Sequence, residues 1–359
     1  MRPLCAVVVV AALLGCTPRA EERARRDLSV GTLTSATIDV RVVSGLATVR
    51  ALGTERVALW ASAPSFDFEL TARAALRLRF EVENAMPAAV LRAVPAGSVV
   101  AAEPGQNPTK KAWQLTLPVG TTRFRLATPD AGVAGPFRFA LMSDVQEAID
   151  EVQDIFTLID AEPELSFLLG AGDLTERGTV EQLERFQREL ATLGVPYYTT
   201  LGNHELGTTP PPYQEWFGRA SFQFSHRGVY FTLLDSGSAT LDPLVYEWLD
   251  GWLANARNSV HVVGMHVPPI DPVGVRNGAF GSRAEATALI AKLAEAGVDL
   301  TLYGHIHSYY SYDTAGIPAF ISGGGGAIPE RFDDMGRHFM VFDVDPVRGL
   351  TGSRVVRVD

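Results

Sequence analysis

From Leu28 to about Asp130, apolar and polar residues alternate with a period of two. In ALRLRFEVEN, Leu76, Leu78, Phe80 and Val82 fall on one face and Arg77, Arg79, Glu81 and Glu83 on the other. WQLTLPVG repeats the pattern with Trp113, Leu115 and Leu117, and TRFRLATPD with Phe124 and Leu126. Short alternating runs punctuated by Gly and Pro predict an antiparallel β-sandwich of about seven strands over residues 28–130. No His, Asp or Glu cluster with ligand spacing interrupts it, so the expected role is structural or that of a spacer. AGVAGP, residues 131–136, marks the boundary.

After Pro136 the rhythm changes to strand, helix, strand. FRFALMSD, LSFLLGAGD and PYYTTLGN read as strands, separated by helices over Glu147 to Asp160 and Val180 to Leu193. FQFSH and VYFTLLDS form a predicted hairpin, followed by a helix over Pro243 to Ala256 and the strand VHVVGMHV. A helix over Arg283 to Glu295 leads into DLTLYGHIH, and IPAFIS, HFMVFDVD and SRVVRVD complete the strands. Such alternation predicts an α/β domain over 137–359, its sheet largely parallel with trailing antiparallel strands.

The 359 residues suffice for two cores, and 47% apolar with 20% charged residues fits a globular chain. A formal charge of −10 disfavours a nucleic-acid polymer as partner. MRPLCAVVVVAALLGC has an apolar run from Leu4 to Leu14, too short to span a bilayer but suited to a signal peptide over 1–15. Leu13-Leu14-Gly15-Cys16 resembles a bacterial lipobox, which implies lipid on Cys16 and an exported, membrane-anchored protein of the cell envelope. Cys5 would leave with the signal, so the body holds no thiol and no disulfide. Residues 16–27, charged and without period, read as a tether.

Polar residues accumulate where the predicted strands of the second region end: Asp144, Asp173 after Gly172, Asn203 with His204, His266, and His305 with His307. The carboxyl ends of parallel strands share one edge, so these residues can converge. Oxygen and imidazole donors suit Mn, Fe, Zn or Mg, and their number suits two ions rather than one.

The blocks DVQ (144–146), GD (172–173), GNHE (202–205), the His of GMHVPP (264–269) and GHIH (304–307) resemble the calcineurin-like metallophosphoesterases over about residues 137–359. The resemblance implies a metallophosphoesterase-type β-sheet sandwich flanked by helices. It implies that Asp144 and His307 hold a first divalent ion, that Asn203, His266 and His305 hold a second, and that Asp173 bridges both. A water shared by the ions would attack a small phosphorylated substrate, with His204 stabilising or protonating the leaving oxygen. Gln146 stands where the family pattern has His. A Gln amide oxygen is neutral like imidazole but harder and weaker, which favours Mn and leaves Mg, Ca, Fe or Zn open. The D-x-Q variant is similar to Mn-dependent ADP-ribose and CDP-alcohol diphosphatases. The rival is a non-catalytic surface lipoprotein with a vestigial single-ion site. Purple acid phosphatases also carry a β-sandwich, but Glu176 stands where their metal-binding Tyr would be.

Other polar residues have plainer expected roles. His226, His261 and His338 are expected to be structural, and Asp235 to serve its hairpin. Gly323 to Gly326 lacks a following Lys-Ser/Thr, so it is expected to pack a loop against the metal edge rather than cradle phosphate. Loops 208–218 and 268–282 are expected to overhang that edge. Their Arg276, with nearby Arg283, either receives a second phosphate or is solvated; Tyr213, Trp216 and Phe217 either stack a base or lipid or pack the loop.

Overall fold

A computed structural model describes residues 19–94, 99–103, 105, 107–274, 278–331 and 334–358. The expected signal peptide over residues 1–15, Cys16 and Arg276 lie outside the described residues. The described residues open with a helix, α1 (Ala20–Asp27), and ten strands follow among them. These are β1 (Thr32–Thr34), β2 (Ile38–Val42), β3 (Ala47–Leu52), β4 (Arg56–Ala61) and β5 (Phe66–Ala72). They continue with β6 (Leu76–Glu83), β7 (Val90–Val94), β8 (Val99–Ala102), β9 (Lys111–Leu117) and β10 (Gly120–Ala127). They form two five-stranded sheets, ordered β1-β2-β5-β10-β7 and β3-β4-β6-β9-β8.

The alternation explains the pairing. Phe66, Phe68, Leu70, Phe124 and Leu126 of one sheet share a core with Leu59, Phe80, Val82, Trp113 and Leu115 of the other. Phe68 stacks on Phe80 at 4.8 Å and on Phe124 at 5.2 Å. Polar partners face outward and pair across strands, as Arg41 does with Glu69 and Arg123 with Asp67. Ten strands rather than about seven appear because short edge strands such as β1 and β8 carry too few residues to show a period. One pairing, β4 with β6, is parallel rather than antiparallel.

The second region holds β11 (Phe137–Met142), α2 (Gln153–Asp160), β12 (Leu165–Ala171), α3 (Val180–Leu190), β13 (Tyr197–Thr200) and α4 (Tyr213–Phe217). Then come β14 (Phe222–His226), β15 (Val229–Leu234), α5 (Pro243–Asn255), β16 (His261–Met265), α6 (Arg283–Glu295) and β17 (Leu300–Tyr303). The chain closes with β18 (Tyr309–Thr314), β19 (Ile317–Ser322), β20 (His338–Asp345) and β21 (Gly349–Arg357). The strands form two mixed sheets, β13-β12-β11-β20-β21 and β14-β15-β16-β17-β19-β18, the β-sheet sandwich that the family resemblance implied, where alternation alone suggested one sheet. Strands β11, β12 and β13 run parallel, as do β15, β16, β17 and β19. Phe139, Phe167 and Phe342 of the first meet Phe231, Leu302 and Phe320 of the second in a central core. Helices α2, α3 and α4 cover one outer face, and α5 and α6 the other.

Residues 20–27 correct the tether expectation. Arg23 is fully buried and its guanidinium donates to Asp235 at 2.7 and 3.0 Å and to Ser238 at 3.1 Å. Asp27 accepts from the backbone N–H groups of Ala220 and Ser221 and from Gln214. Burial pushes its carboxyl up to about 7, and the nearby Asp235 pushes the same way. Charged residues read as solvated because an unpaired buried charge is costly; here the partners just named lie about two hundred residues away in the chain, beyond the reach of a local pattern.

The two regions are joined by polar bonds at the edge strand β13. Asn84 donates to Ala61 O and Tyr197 O and accepts from Tyr197 N, each at 2.7 Å. Ser62 Oγ donates to Phe217 O at 2.7 Å, and Trp60 meets the Phe217 ring edge-on at 5.7 Å. Tyr213 and Phe217 are buried in this packing, so they pack the loop, while Trp216 lies under the Arg50 guanidinium at 3.7 Å.

Candidate metal centre

Both sheets of the second region turn their carboxyl ends to one edge. Asp144 follows β11, Asp173 follows β12, Asn203 and His204 follow β13, His266 follows β16, and His305 and His307 follow β17. Three of these turn residues hold left-handed backbone, Asp144 (φ 62°), Asp173 (φ 51°) and His305 (φ 71°), as does Gln146 (φ 49°) two residues past Asp144. That conformation is disfavoured for side chains with a Cβ and persists where surrounding structure imposes it. Asp144 is imposed by bonds to its neighbours: its Oδ2 accepts from Ser143 Oγ and from His305 N at 3.0 Å. A Cβ on Gly304 would meet that carboxylate at 2.7 Å, and one on Gly202 would run into the Asp173 carboxylate. Only glycine lets these loops come so near.

The histidines are aimed by backbone carbonyls. His266 Nδ1 donates to Ala171 O and His307 Nδ1 to Ile328 O, both at 2.8 Å. Each ring therefore turns Nε2 inward, the arrangement by which proteins fix a ligating imidazole. His266 Nε2 faces Asn203 Oδ1 at 3.0 Å, Asp173 Oδ2 at 3.2 Å and His305 Nδ1 at 3.2 Å. Asp173, His266 and His305 together present ligand atoms within 4.8 Å of one another.

These donors fit a cation. In a neutral His266 the inward lone pair opposes the Asn203 and Asp173 oxygens, so positive charge is wanted between them. Burial pushes the His266 imidazole down, but Asp173 and Asp144 outweigh it and lift it to about 9. His305 goes the other way, to about 4, through burial and the charge on His266. Burial pushes the Asp144 carboxyl up, yet His307 and His266 hold it well below the usual range. Its Oδ1 is buried with no hydrogen-bond partner among the described residues, 3.4 Å from His307 Nε2.

Gln146 enters differently from the expectation that it ligates through oxygen. Its amide nitrogen stands 3.0 Å from Asp173 Oδ2 and 3.1 Å from His307 Nε2. As placed, it donates to groups that an ion would otherwise draw together. Ligation by Gln146 thus requires the amide to turn over, exposing its oxygen.

His204 stands beside the cluster rather than within it. Its backbone N–H donates to Asp173 Oδ1 at 2.9 Å, and its Nδ1 donates to Glu176 O at 2.8 Å. Nε2 consequently points toward the centre, 3.9 Å from Asp173 Oδ2. Glu205, the last residue of GNHE, was assigned no role from sequence. It is fully buried, accepting from Thr175 N and Oγ1 and, at 2.8 Å, from Gly202 N. It ties the Asp173 loop to the Asn203 loop, and burial with the nearby Asp173 pushes its carboxyl up to about 7. Its place in the motif was the only available signal.

The other polar residues singled out in the sequence make contacts away from the cluster. His261 bonds to Thr232 at 2.8 Å, His226 packs edge-on against Phe137, and His338 donates to Gly336 O. Asp235 serves Arg23 of α1 rather than its own hairpin alone. Gly325 N donates to Ser143 O at 2.8 Å, so the glycine run does pack a loop against the metal edge.

The calcineurin-like phosphoesterase family model matches residues 137–309. Those residues are a calcineurin-like phosphoesterase domain. The chain is similar to a 3',5'-cyclic-nucleotide phosphodiesterase of Nostoc sp., with 29% identity over 164 residues, 43% of this chain and 60% of the relative. It thus spans less than two thirds of that relative's length. Among solved structures, a purple acid phosphatase from yellow lupin matches with a TM-score of 0.56 and 15% identity, over 82% of this chain and 70% of that one. That likeness is one of fold, and it is too long to lie in the phosphoesterase domain alone. A dimetal phosphatase from Danio rerio has a TM-score of 0.47, with 13% identity over 62% of this chain and 99% of its own.

Proposed function

We propose that the protein hydrolyses a phosphoester or pyrophosphate bond using two divalent ions at this edge. The observation that carries the reading is the convergence of two carboxylates, one amide oxygen and three inward imidazoles from five strand ends. Asp144 and His307, with Gln146 after its amide turns, would hold one ion. Asn203, His266 and His305 would hold the other, and Asp173 would touch both. Bound ions would supply a water acidic enough to attack phosphorus at neutral pH. His204, fixed through Glu176 O with Nε2 inward, would give a proton to the leaving oxygen. Asp173 orients that residue by accepting its backbone N–H. Mn is the favoured ion, because the Gln146 amide oxygen is a harder and weaker donor than the imidazole the family pattern has there.

The substrate is proposed to be a small phosphorylated molecule; the Nostoc relative's name supports a diester. The reading is tested by stripping the protein with chelator and adding back Mn, Mg, Ca, Zn or Fe singly. Bis-p-nitrophenyl phosphate and p-nitrophenyl phosphate serve as substrates, with His204→Ala alongside. A metal should restore turnover that the variant lacks by about a hundredfold or more. No turnover, with fewer than two ions bound per chain, would instead favour the vestigial site. We further propose export and anchoring by lipid on Cys16, supported by the lipobox-like Leu13-Leu14-Gly15-Cys16. Cys16→Ser should move the protein out of the membrane fraction; retention there would refute the anchor.

A further inference from the structure

One cavity adjoins the metal edge without belonging to it. It measures about 410 Å³ and is bounded by Pro269, Ile270, Ala279, Phe280 and Arg283. That size falls in the range of small-molecule pockets. Pro269 lies three residues beyond His266, and Ala279 follows Gly278, whose Cα abuts the ring of His305: a Cβ there would stand 3.2 Å from His305 Cδ2. Among the described residues of the wall between cavity and centre, Asp271 gathers the backbone. Asp271 accepts three backbone N–H groups, from Val273, Gly274 and Gly278, at 2.7–3.0 Å.

Two side chains on this cavity lack an internal partner that would explain them. Ile270 is 45% exposed although it stands on a pocket wall. Arg283 is exposed and forms no ion pair among the described residues, whereas the nearby Lys292 pairs with Asp250. An aliphatic wall, the buried Phe280 beside it and an unpaired cation make a surface for a ring-bearing group ending in an anion.

We propose that this cavity is the subsite for the non-reacting half of a phosphodiester whose far end carries a second phosphate, held by Arg283. The proposal rests on the phosphoesterase reading and narrows its substrate class. Ile270 and Phe280 cover the sugar or ring, and Arg283 selects the anion.

The test compares two diesters with one leaving group: thymidine 5'-(p-nitrophenyl phosphate) and the same compound bearing a 3'-phosphate. The metal-loaded protein should prefer the second in kcat/KM through a lower KM. Arg283→Ala should reduce that preference about fivefold, the effect of one partly exposed charge pair, and Arg283→Lys should restore part of it. An equal preference in protein and variant overturns the subsite. Calorimetric binding of thymidine 3',5'-bisphosphate against thymidine 5'-monophosphate gives a second readout. If no metal yields turnover, the phosphoesterase reading fails, while tighter binding of the bisphosphate that Arg283→Ala abolishes still supports the anion subsite. Equal binding of the two nucleotides overturns it.

Discussion

The strand-rich N-terminal region and the phosphoesterase domain use the same residue types in opposite ways. Between β1 and β10 the carboxylates stand on open sheet faces, where Arg41, Arg73 and Arg123 reach across strands to Glu69, Asp39 and Asp67. Even the buried Glu81 is paired, with Arg56 at 2.8 Å. In the domain, Asp144 and Asp173 are buried at strand ends, with imidazoles and an amide around them and no ion pair to Arg or Lys among the described residues. A cross-strand ion pair is satisfied, exposed and worth a few tenths of a kcal/mol to about 1. A buried carboxylate without such a partner needs a proton or a cation. The contrast is one of position: a pleated face offers a neighbour across the strand, whereas a strand end offers only what other loops bring.

The seam between the regions is where this comparison is easiest to break. Asn84 substitutes for a missing strand by pairing with both backbone groups of Tyr197, at the start of the strand that delivers Asn203 and His204. Asn84→Ala leaves Tyr197 N–H and two carbonyls buried without a partner, and should cost about 3 kcal/mol in chemical denaturation. If the N-terminal region also orients the centre, kcat at saturating metal should fall by more than the loss of folded protein. Unchanged kcat in the folded fraction would mean that the seam contributes stability alone.

A smaller effect tests whether buried polarity away from the edge is merely structural. His226 is packed against Phe137 and Phe167, and its Nε2 is buried without a partner among the described residues. Burial, then the adjacent Arg227, lowers its imidazole to about 4, with Asp130 opposing. The fold therefore holds it neutral, whereas the unfolded chain takes up a proton near its ordinary value of about 6.5. Stability tied to this residue is present above that value and is lost as pH falls toward 4. Between pH 7 and 5 the loss should be about 1–2 kcal/mol, and His226→Phe should remove it. The same pH slope in protein and variant, by thermal melting, would show that the acid loss arises elsewhere.

Much of this molecule was legible before its structure. Periodicity located α6 to the residue and the hairpin β14–β15, and the strand-end blocks named the residues that meet at one edge. Three things were not legible, for one reason. The charges of α1 looked like a solvated tether because Asp235 and Ser221, their partners, lie far along the chain. Glu205 looked like a motif letter because its role is to join two loops that only folding brings together. The side of the Gln146 amide that meets the centre depends on Asp173 and His307, neither of which is near it in sequence.

What the chain determined by itself is therefore its local order: which faces are apolar, where strands stop and which donors stand at their ends. Period and turn chemistry are properties of a few adjacent residues, so they are written in the sequence directly. Tertiary structure alone decided the burial of Arg23 and Asp27, the inward aim of each imidazole and the cavity beside His305. Each is a contact between residues distant in sequence, chosen by how whole layers pack to bury apolar faces while pairing the polar groups caught between them.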